Sequence, residues 1–553
     1  MRKLYVYLIF AFLPSQLFCQ NIPFKLEKSE EFNDDIKKSN IVLTETNKEG
    51  NTLIVRSYND NGLSNYSGFY IEHIDSHLKI QKTFNFEMKH PNYQKNNIVL
   101  GIYSLKNEVK IIEFYYDLND KSYVCQANIV TNDFQTSKKE LFRIPREKMK
   151  ETGTISLEKE FFNRTKGNWS NDNSGEIKSE NDISKNSSFF EISLGGKSEI
   201  SKDQKGSDIV MTVNETKSAF AIAIDYKSED KEFVKLYLFD NELNKKIDTD
   251  FNREIKDTNY KLENIQVSPD GKVISLLAKN YLETQKEKKE GGNYLFEITK
   301  ITAESQKSKF IDTHENFVGS LKSVFHNNEI ICLGFYSDIK DYRFKGICYY
   351  KLDFNSLEIL QAKYNLFTEQ FMVDKYGEGK DKALKFLTFK KIFFTNNNDL
   401  IINAQEEYTT SDYNNNRTYF SYDDIVAAKL DPEGNLLWAR NINKSQAIPS
   451  YEDESFISYT SFINDNFSYF FINTGEKIKK IKNDRIEFGQ IRKNKSNLNV
   501  IRINEDGDFD YEEILDDENS SVPIMVSKGA IINNSVLFLG RKGTKKQLLK
   551  VNL

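Results

Sequence analysis

Asp506, Asp508 and Asp510 stand at alternate positions, the spacing at which carboxylates converge on one calcium ion. Such a loop needs glycine at its sixth place and glutamate at its twelfth. Tyr511 and Asp517 occupy them, so the stretch reads as an acidic strand turn. His73 and His77 are four apart, which on a helix would aim both rings at one metal. Here they straddle Ile74-Asp75-Ser76, a turn between strands, and helical spacing has no meaning. With 5 histidines in all, no Cys/His cluster falls at zinc spacing. No Gly-x-Ser-x-Gly elbow is present, and Gly291-Gly292 lacks the following Lys-Ser/Thr of a phosphate cradle. Carboxylates are abundant, but the pair a glycosidase needs is defined by spatial separation. The expectation is no catalytic residue, no metal site and no cofactor.

Binding chemistry has better candidates. Tyr413, Tyr419 and Tyr422 lie among Asn and Thr in a stretch, Tyr408 to Tyr422, that reads as a loop. Tyrosine offers large contact area at low entropic cost, and loops are where binding concentrates. A basic segment carries Lys477, Lys479, Lys480, Lys482, Arg485, Arg492, Lys493 and Lys495. It interleaves Asp484 and Glu487 and lacks a continuous apolar face, so it reads as a solvated insertion. Cys332 and Cys348 flank a turn centred on Lys340. A disulfide between opposed strands is compatible with that spacing, and so is a pair of buried free thiols, since register slips easily. Cys125 reads as a core thiol.

The elements that position these residues are hairpins. Two apolar strands around a short Asn/Asp/Gly turn recur about every 55–70 residues, near the period of a long propeller blade. The clearest turns are Asp270-Gly271, Asn327-Asn328, Asn397-Asn398, Asp465-Asn466 and Asn533-Asn534, with weaker ones near Gly50, Asn107 and Thr216. Eight strongly apolar second strands follow from this: Thr52–Tyr58, Val109–Tyr116, Ala219–Tyr226, Val273–Ala278, Ile330–Tyr336, Leu400–Ala404, Phe467–Ile472 and Val536–Gly540. A second turn class links the third strand to the fourth, as at Asp240-Asn241-Glu242-Leu243 and Asp431-Pro432-Glu433-Gly434. There an acid caps the bend and a Gly or Asn is expected at positive φ. Four antiparallel strands per unit predict an all-β protein: a single β-propeller of seven or eight four-stranded blades. Its last unit has three strands, and the N-terminal stretch near Ile22–Leu26 is expected to supply the fourth and close the ring.

Two stretches carry a family resemblance. Asp424 to Trp438, with Asp431-Pro432-Glu433-Gly434-Asn435 and Trp438, resembles the blade motif of bacterial extracytoplasmic propellers of the SBBP/PQQ-repeat kind. Ser268-Pro269-Asp270-Gly271-Lys272 is similar to the turn of WD40-like and TolB-like propellers. The resemblance implies the fold and an exported protein, and no activity. Its Trp occurs in one unit, which does not support a quinone-stacking ring.

Length and composition agree. At 553 residues the chain exceeds a single compact core, and 41 Phe and 29 Tyr against 8 Pro favour strands. Arg2 and Lys3, the apolar run Leu4 to Leu13, and Pro14 to Cys19 read as a signal peptide over 1–19. That run is too short to span a bilayer, and no transmembrane segment is expected in the mature chain. A net charge of −5 gives no footprint for nucleic acid. Insertions interrupt the blades at about 146–207, 370–386 and 477–499. The expected function is a non-catalytic, protein-binding scaffold or accessory subunit of a cell-envelope assembly, in the periplasm or at the cell surface. The alternatives are a glycan-acting hydrolase or lyase and a carbohydrate-binding protein.

Overall fold

The computed structural model describes residues 22–47, 51–59, 67–106, 108–147, 208–226, 231–256, 259–282, 293–313, 315–338, 343–379, 384–412, 417–450, 452–464, 466–475, 478–483, 485–491, 496–518, 520–532 and 534–553. The expected signal peptide, Gly50, Asn107, Asp465, Asn533, Tyr413 and nearly all of 146–207 lie outside the described residues.

Eight antiparallel sheets follow one another along the chain. Blades 1 to 7 span 39–87, 94–145, 208–253, 260–311, 317–366, 387–442 and 460–515; blade 8 combines 530–552 with the N-terminal strand Lys25–Lys28. The eight expected second strands are all second strands, for instance Ala219–Tyr226 and Phe467–Thr474. First strands of successive blades touch from blade 8 through blade 5, so the first strands face the ring's centre. Apolar side chains of neighbouring sheets meet between blades: Phe142 of blade 2 stacks on Tyr237 of blade 3 with centroids 4.0 Å apart.

Closure follows expectation. Lys25–Lys28 pairs with the last strand, Lys545–Asn552, in the register Lys25↔Asn552 to Lys28↔Leu549, and Phe32–Asn33 pairs further along it. A buried ion cluster locks this joint. Arg56 of blade 1 donates to Asp34 (2.6 Å) and bidentately to Glu72 (2.8 and 2.7 Å), with its side chain 2% exposed. Its guanidinium lies 4.9 Å from the Tyr70 ring centre and 5.1 Å from that of Phe32. Burial works against the Arg56 charge, but Glu72 and Asp34 more than offset it and hold its pKa above the ordinary value. Lys546 of blade 8 sits 3.7 Å from Asp34 and donates to the carbonyls of Lys37 and Gly543.

The third-to-fourth turns depart from expectation. Asp431 Oδ1 accepts from the backbone of Glu433 and Asn435, and Asn504 does the same for Asp506 and Asp508. The positive-φ place, however, is held by Leu78 (φ 61°), Phe134 (62°), Leu243 (63°) and Leu357 (58°) as well as by Gly434 and Gly507. A left-handed leucine costs about 1–2 kcal/mol. Burying its side chain returns about 1.5–3 kcal/mol, and Leu78, Leu243 and Leu357 are all buried. In blades 6 and 7 that space is already filled. A Cβ on Gly434 would strike the ring of Tyr349, and one on Gly507 would meet Trp438, each from the preceding blade.

These contacts staple blade to blade. Tyr349 Oη donates to the Pro432 carbonyl (3.0 Å), Asn365 to Gly434 (2.9 Å), Lys300 to Phe354 (3.0 Å), and Trp438 Nε1 to Glu505 (3.0 Å). The single tryptophan of the Asp-x-x-Gly-Asn motif therefore anchors the next blade's turn.

Candidate functional site

The two described insertions meet. The first holds a helix, α1 (Glu369–Tyr376), capped by the Thr368 hydroxyl at its start and ended by Gly377 at φ 77°. Phe371 is buried and stacks on Phe367 (4.5 Å), which turns the Asp374 side of the helix toward the outer strand of blade 6, Leu436–Ile442. Arg440 on that strand clasps Asp374 bidentately at 2.6 and 3.1 Å and also donates to the Gly507 carbonyl of blade 7. The second insertion contains a two-stranded hairpin, Lys479–Lys480 with Ile486–Glu487. Arg485 Nη1 donates to the Lys375 carbonyl (2.5 Å) and Asn483 Nδ2 to the Gly377 carbonyl (2.5 Å). A cation and an amide thus satisfy carbonyls left open at the C-terminus of α1, where the helix dipole favours positive charge. Phe488 is fully buried behind the hairpin. Asn483 and Arg485 dock the hairpin onto α1, while Lys479, Lys480 and Lys482 are exposed as expected of a solvated insertion; Lys477, Arg492, Lys493 and Lys495 lie outside the described residues.

Between α1, the hairpin and blades 6 and 7 lies an open groove of about 1150 Å³. Its charged lining comprises Asp374, Glu505, Asp506, Asp508 and Asp510 against Arg440, Arg485 and Arg502. The cations are engaged: Arg440 and Arg485 as above, Arg502 with Asp510 at 2.7 Å. Two aromatic faces are covered, Phe509 by Arg440 (4.5 Å) and Phe467 by Arg502 (5.2 Å).

Behind the groove runs a buried charge network. Lys375 bridges Asp424 (2.7 Å) and Glu406 (2.9 Å), and Asp424 also accepts from Asn441 Nδ2 (3.0 Å) and Lys444 N (2.9 Å). The Lys444 ammonium donates to the Tyr422 carbonyl and to Gln446 Oε1 (3.1 Å). Burial pulls the Lys444 pKa down to about 7, against the pull of Asp423, Asp424 and Glu407. Burial pushes Glu406 up to about 7, against Lys375, with Asp424 adding to the rise.

The stability consequence of Glu406 has a definite sign. A carboxyl raised from 4.5 to about 7 adds stability that is complete below pH 4.5 and disappears as pH rises through 7. Lys444, depressed from 10.5, contributes in the opposite sense, its share growing as pH rises from about 7 toward 10.5. Unfolding followed by circular dichroism from pH 4.5 to 7.5 should show Glu406→Gln losing less stability than the parent. The difference is worth up to roughly 3 kcal/mol at about 1.4 kcal/mol per pH unit. Parallel curves would refute the assignment.

The residues singled out in the sequence fall as follows. Tyr408 to Tyr422 is no loop where it is described: blade 6 extends its second and third strands to Leu400–Asp412 and Arg417–Leu430. Tyr413 lies outside the described residues. Tyr419 is half-buried opposite Thr410 and Pro449. Tyr422 is buried and donates to Glu454. Cys332 and Cys348 are free buried thiols, because Cys332 faces Tyr350 and Cys348 faces Gly334, a register offset of two. Of the two alternatives the disulfide is the one not realised. Burial pushes the Cys332 and Cys348 thiols above their ordinary value, consistent with inert core residues. Cys125 is likewise fully buried. Asp506 and Asp508 lie on the groove's exposed lip, and no cluster of three metal-ligating side chains occurs among the described residues.

The inner strands spend polar groups on one another. Ser323 Oγ of blade 5 donates to Asn264 Oδ1 of blade 4 (2.7 Å), Lys279 Nζ to the Gly319 carbonyl (2.6 Å), and Lys391 Nζ of blade 6 to the Ser461 carbonyl of blade 7 (3.3 Å). Burial lowers the Lys279 pKa to about 8, with Glu263 opposing.

No protein-family model matches this chain, and no curated protein matches it in sequence. Solved structures similar to it include a prolyl endopeptidase, 6% identical over 92% of this chain and 55% of that one, with a TM-score of 0.37. The chain thus spans about half the length of that enzyme. The polysaccharide lyase Uly1 is 10% identical over 82% of this chain and 90% of its own, with a TM-score of 0.34. An acylaminoacyl peptidase from Pyrococcus horikoshii is 10% identical over 69% and 58%, with a TM-score of 0.25. Likenesses at these values say nothing about activity or substrate. No helix among the described residues is long and apolar enough to cross a membrane.

Proposed function

We propose that this chain is an exported, non-catalytic propeller that binds a protein partner, as a scaffold or accessory subunit of a cell-envelope assembly. The observation that carries this reading is the groove of about 1150 Å³ that two separate insertions build against blades 6 and 7. An insertion that docks through Arg485 and Asn483 onto the end of another is shaped for recognition rather than for ring stability. The blade motifs at Asp431 and Ser268 and the signal-like first twenty residues support export. Protein binding is favoured over glycan binding because the Phe509 and Phe467 faces, which sugar stacking would use, already carry guanidinium groups. Lys279, Ser323 and Lys391 are each tied across to a neighbouring blade.

The test is affinity capture of the tagged protein from solubilised envelopes in mild salt, followed by mass spectrometry, in parallel with Asn483→Ala/Arg485→Ala. A stoichiometric partner captured by the parent and lost by the variant supports the reading. Recovery of the parent alone overturns it and turns attention to a polysaccharide screen.

A further inference from the structure

We propose that an open sheet edge of blade 6, at Thr409 and Ser411, takes an extended segment of a protein partner as an added strand. This surface is separate from the groove, so either can fail alone.

The edge arises from an overhang. Blade 6's second strand runs to Asp412, but its first strand, Leu387–Phe394, pairs with it only as far as Leu387↔Glu406. One further bond runs from Glu407 N to the Phe386 carbonyl (2.9 Å). Upstream of Phe386 the chain turns away, and Leu384 bridges to Phe344 of blade 5 instead. On its other side the overhang stays paired, Thr409↔Phe420 and Ser411↔Thr418, and that third strand is covered in turn by Ala447–Pro449. Tyr422 N donates to the Gln446 carbonyl and Ser450 N to that of Thr418, both at 2.8 Å. Thr418, Phe420 and Tyr422 thus turn their backbone groups outward, away from the second strand. In an antiparallel ladder their opposites do the same: Thr409 and Ser411 aim their N–H and C=O groups away from the hairpin, in the direction of Glu407 N. No described residue pairs with them there. Blade 8 supplies the contrast. Its second strand, Ser535–Lys542, also outruns the first, Ala530–Ile532, but residues 523–525 fill the place: Met525 N donates to the Leu539 carbonyl (3.0 Å) and Arg541 N to that of Pro523 (2.8 Å).

The blade 6 edge is also unguarded. Tyr408 to Ser411 carries neither charge nor proline, the usual means of blunting an edge, and Thr409 and Thr410 are exposed. Phe386 marks the same place independently. It sits at φ 60°, a left-handed conformation that is sterically costly for a bulky residue. Unlike Leu78, Leu243 and Leu357, its side chain is 37% exposed, and no other hydrophobic side chain at positive φ is exposed among the described residues. Its ring lies 5.3 Å from that of Tyr408, whose hydroxyl is fixed on Asp423 Oδ2 (2.6 Å). An arriving strand would continue the line of Leu387–Phe394, lay one side chain beside Tyr408 and cover Phe386. The chemistry of the occupant follows. Backbone donors and acceptors repeating along an edge are matched by an extended polypeptide, and a glycan carries no such repeat. A β-branched or aromatic residue suits the place beside Tyr408.

The experiment is fluorescence anisotropy of the full-length protein with the fluorescein-labelled peptide Lys-Thr-Val-Thr-Tyr-Thr-Val-Thr-Glu, against the same peptide N-methylated at alternate amides. Expected are saturable binding of the unmethylated peptide alone and an affinity loss of roughly tenfold in Thr409→Pro, which removes an edge donor and spares the ladder to the third strand. Hydrogen exchange of the parent with the peptide bound should slow at Thr409 and Ser411 but not at Tyr408 and Thr410, whose N–H groups already serve the hairpin. That pattern reads the edge even where the proline variant fails to fold. No binding, equal binding of the N-methylated peptide, or protection that does not alternate would overturn the inference. So would dimerisation of the parent that Thr409→Pro abolishes, since the edge would then serve a second copy of this chain. If the peptide fails while envelope capture still loses its partner in Asn483→Ala/Arg485→Ala, the edge proposal falls and the groove reading stands.

Discussion

Arg56→Ala is expected to destabilise the folded ring by about 3–5 kcal/mol, the cost of breaking a buried ion pair from one side. The substitution leaves Glu72, 3% exposed in its side chain, without its cation, and Asp34, 4% exposed, with Lys546 alone at 3.7 Å. It also removes the guanidinium packed between Phe32 and Tyr70. Because Asp34 belongs to the closing segment and Glu72 to blade 1, the damage should be concentrated at the joint. Limited proteolysis should cut the variant first around 25–38, and urea unfolding should shift to lower denaturant. Replacing the cluster together, Arg56→Met with Asp34→Leu and Glu72→Leu, should recover much of the loss, as apolar replacements of buried ion groups often do. A single variant within about 1 kcal/mol of the parent would show that the joint rests on the strand pairing alone.

Arg440→Ala is expected to produce a loss of similar order, about 3–5 kcal/mol, but with a different reach. Asp374 would remain only 7% exposed in its side chain with no cation against it, and the Gly507 carbonyl would lose a donor. Three elements meet at that side chain: α1, the outer strand of blade 6 and the turn of blade 7. The expected result is local release of α1, read as faster hydrogen exchange over 367–379 and 478–488 while blades 1 to 4 exchange as before. Partner capture should fall with it. Global unfolding without a prior local step would refute the picture of α1 as a separately releasable wall that Arg440 helps to hold.

Sequence periodicity made the ring legible because apolar alternation and turn chemistry are local. Ala219–Tyr226 alternates between two buried faces, and Asp431 caps its own bend, so neither needs knowledge of distant chain. The failures are equally physical. Leu78, Leu243 and Leu357 occupy a left-handed site that local rules assign to glycine, and only the burial available in the assembled ring makes them preferable. The Cys332–Cys348 pairing turned on a register that turn length alone does not fix. The groove was invisible because Asn483 and Gly377 are 106 residues apart in sequence. Each insertion was read by itself, and Arg485, counted among the basic residues of 477–495, carried no local sign that it docks on α1 together with Asn483.

The pairing of Lys25–Lys28 with Lys545–Asn552 bears on the order of assembly. Seven blades are made of strands adjacent in sequence and can form as soon as each is available, whereas the eighth joins segments separated by more than 500 residues, as the bond from Leu548 to Ser29 illustrates at 519. Loop-closure entropy makes such a contact late and slow. Until it forms, the last strand offers an unpaired edge and the first blade an uncovered apolar face, the two features that drive misassembly between copies. A permuted chain, with its present ends joined and a break opened in a connection between two other blades, would make this blade local and shift the vulnerable step elsewhere in the ring.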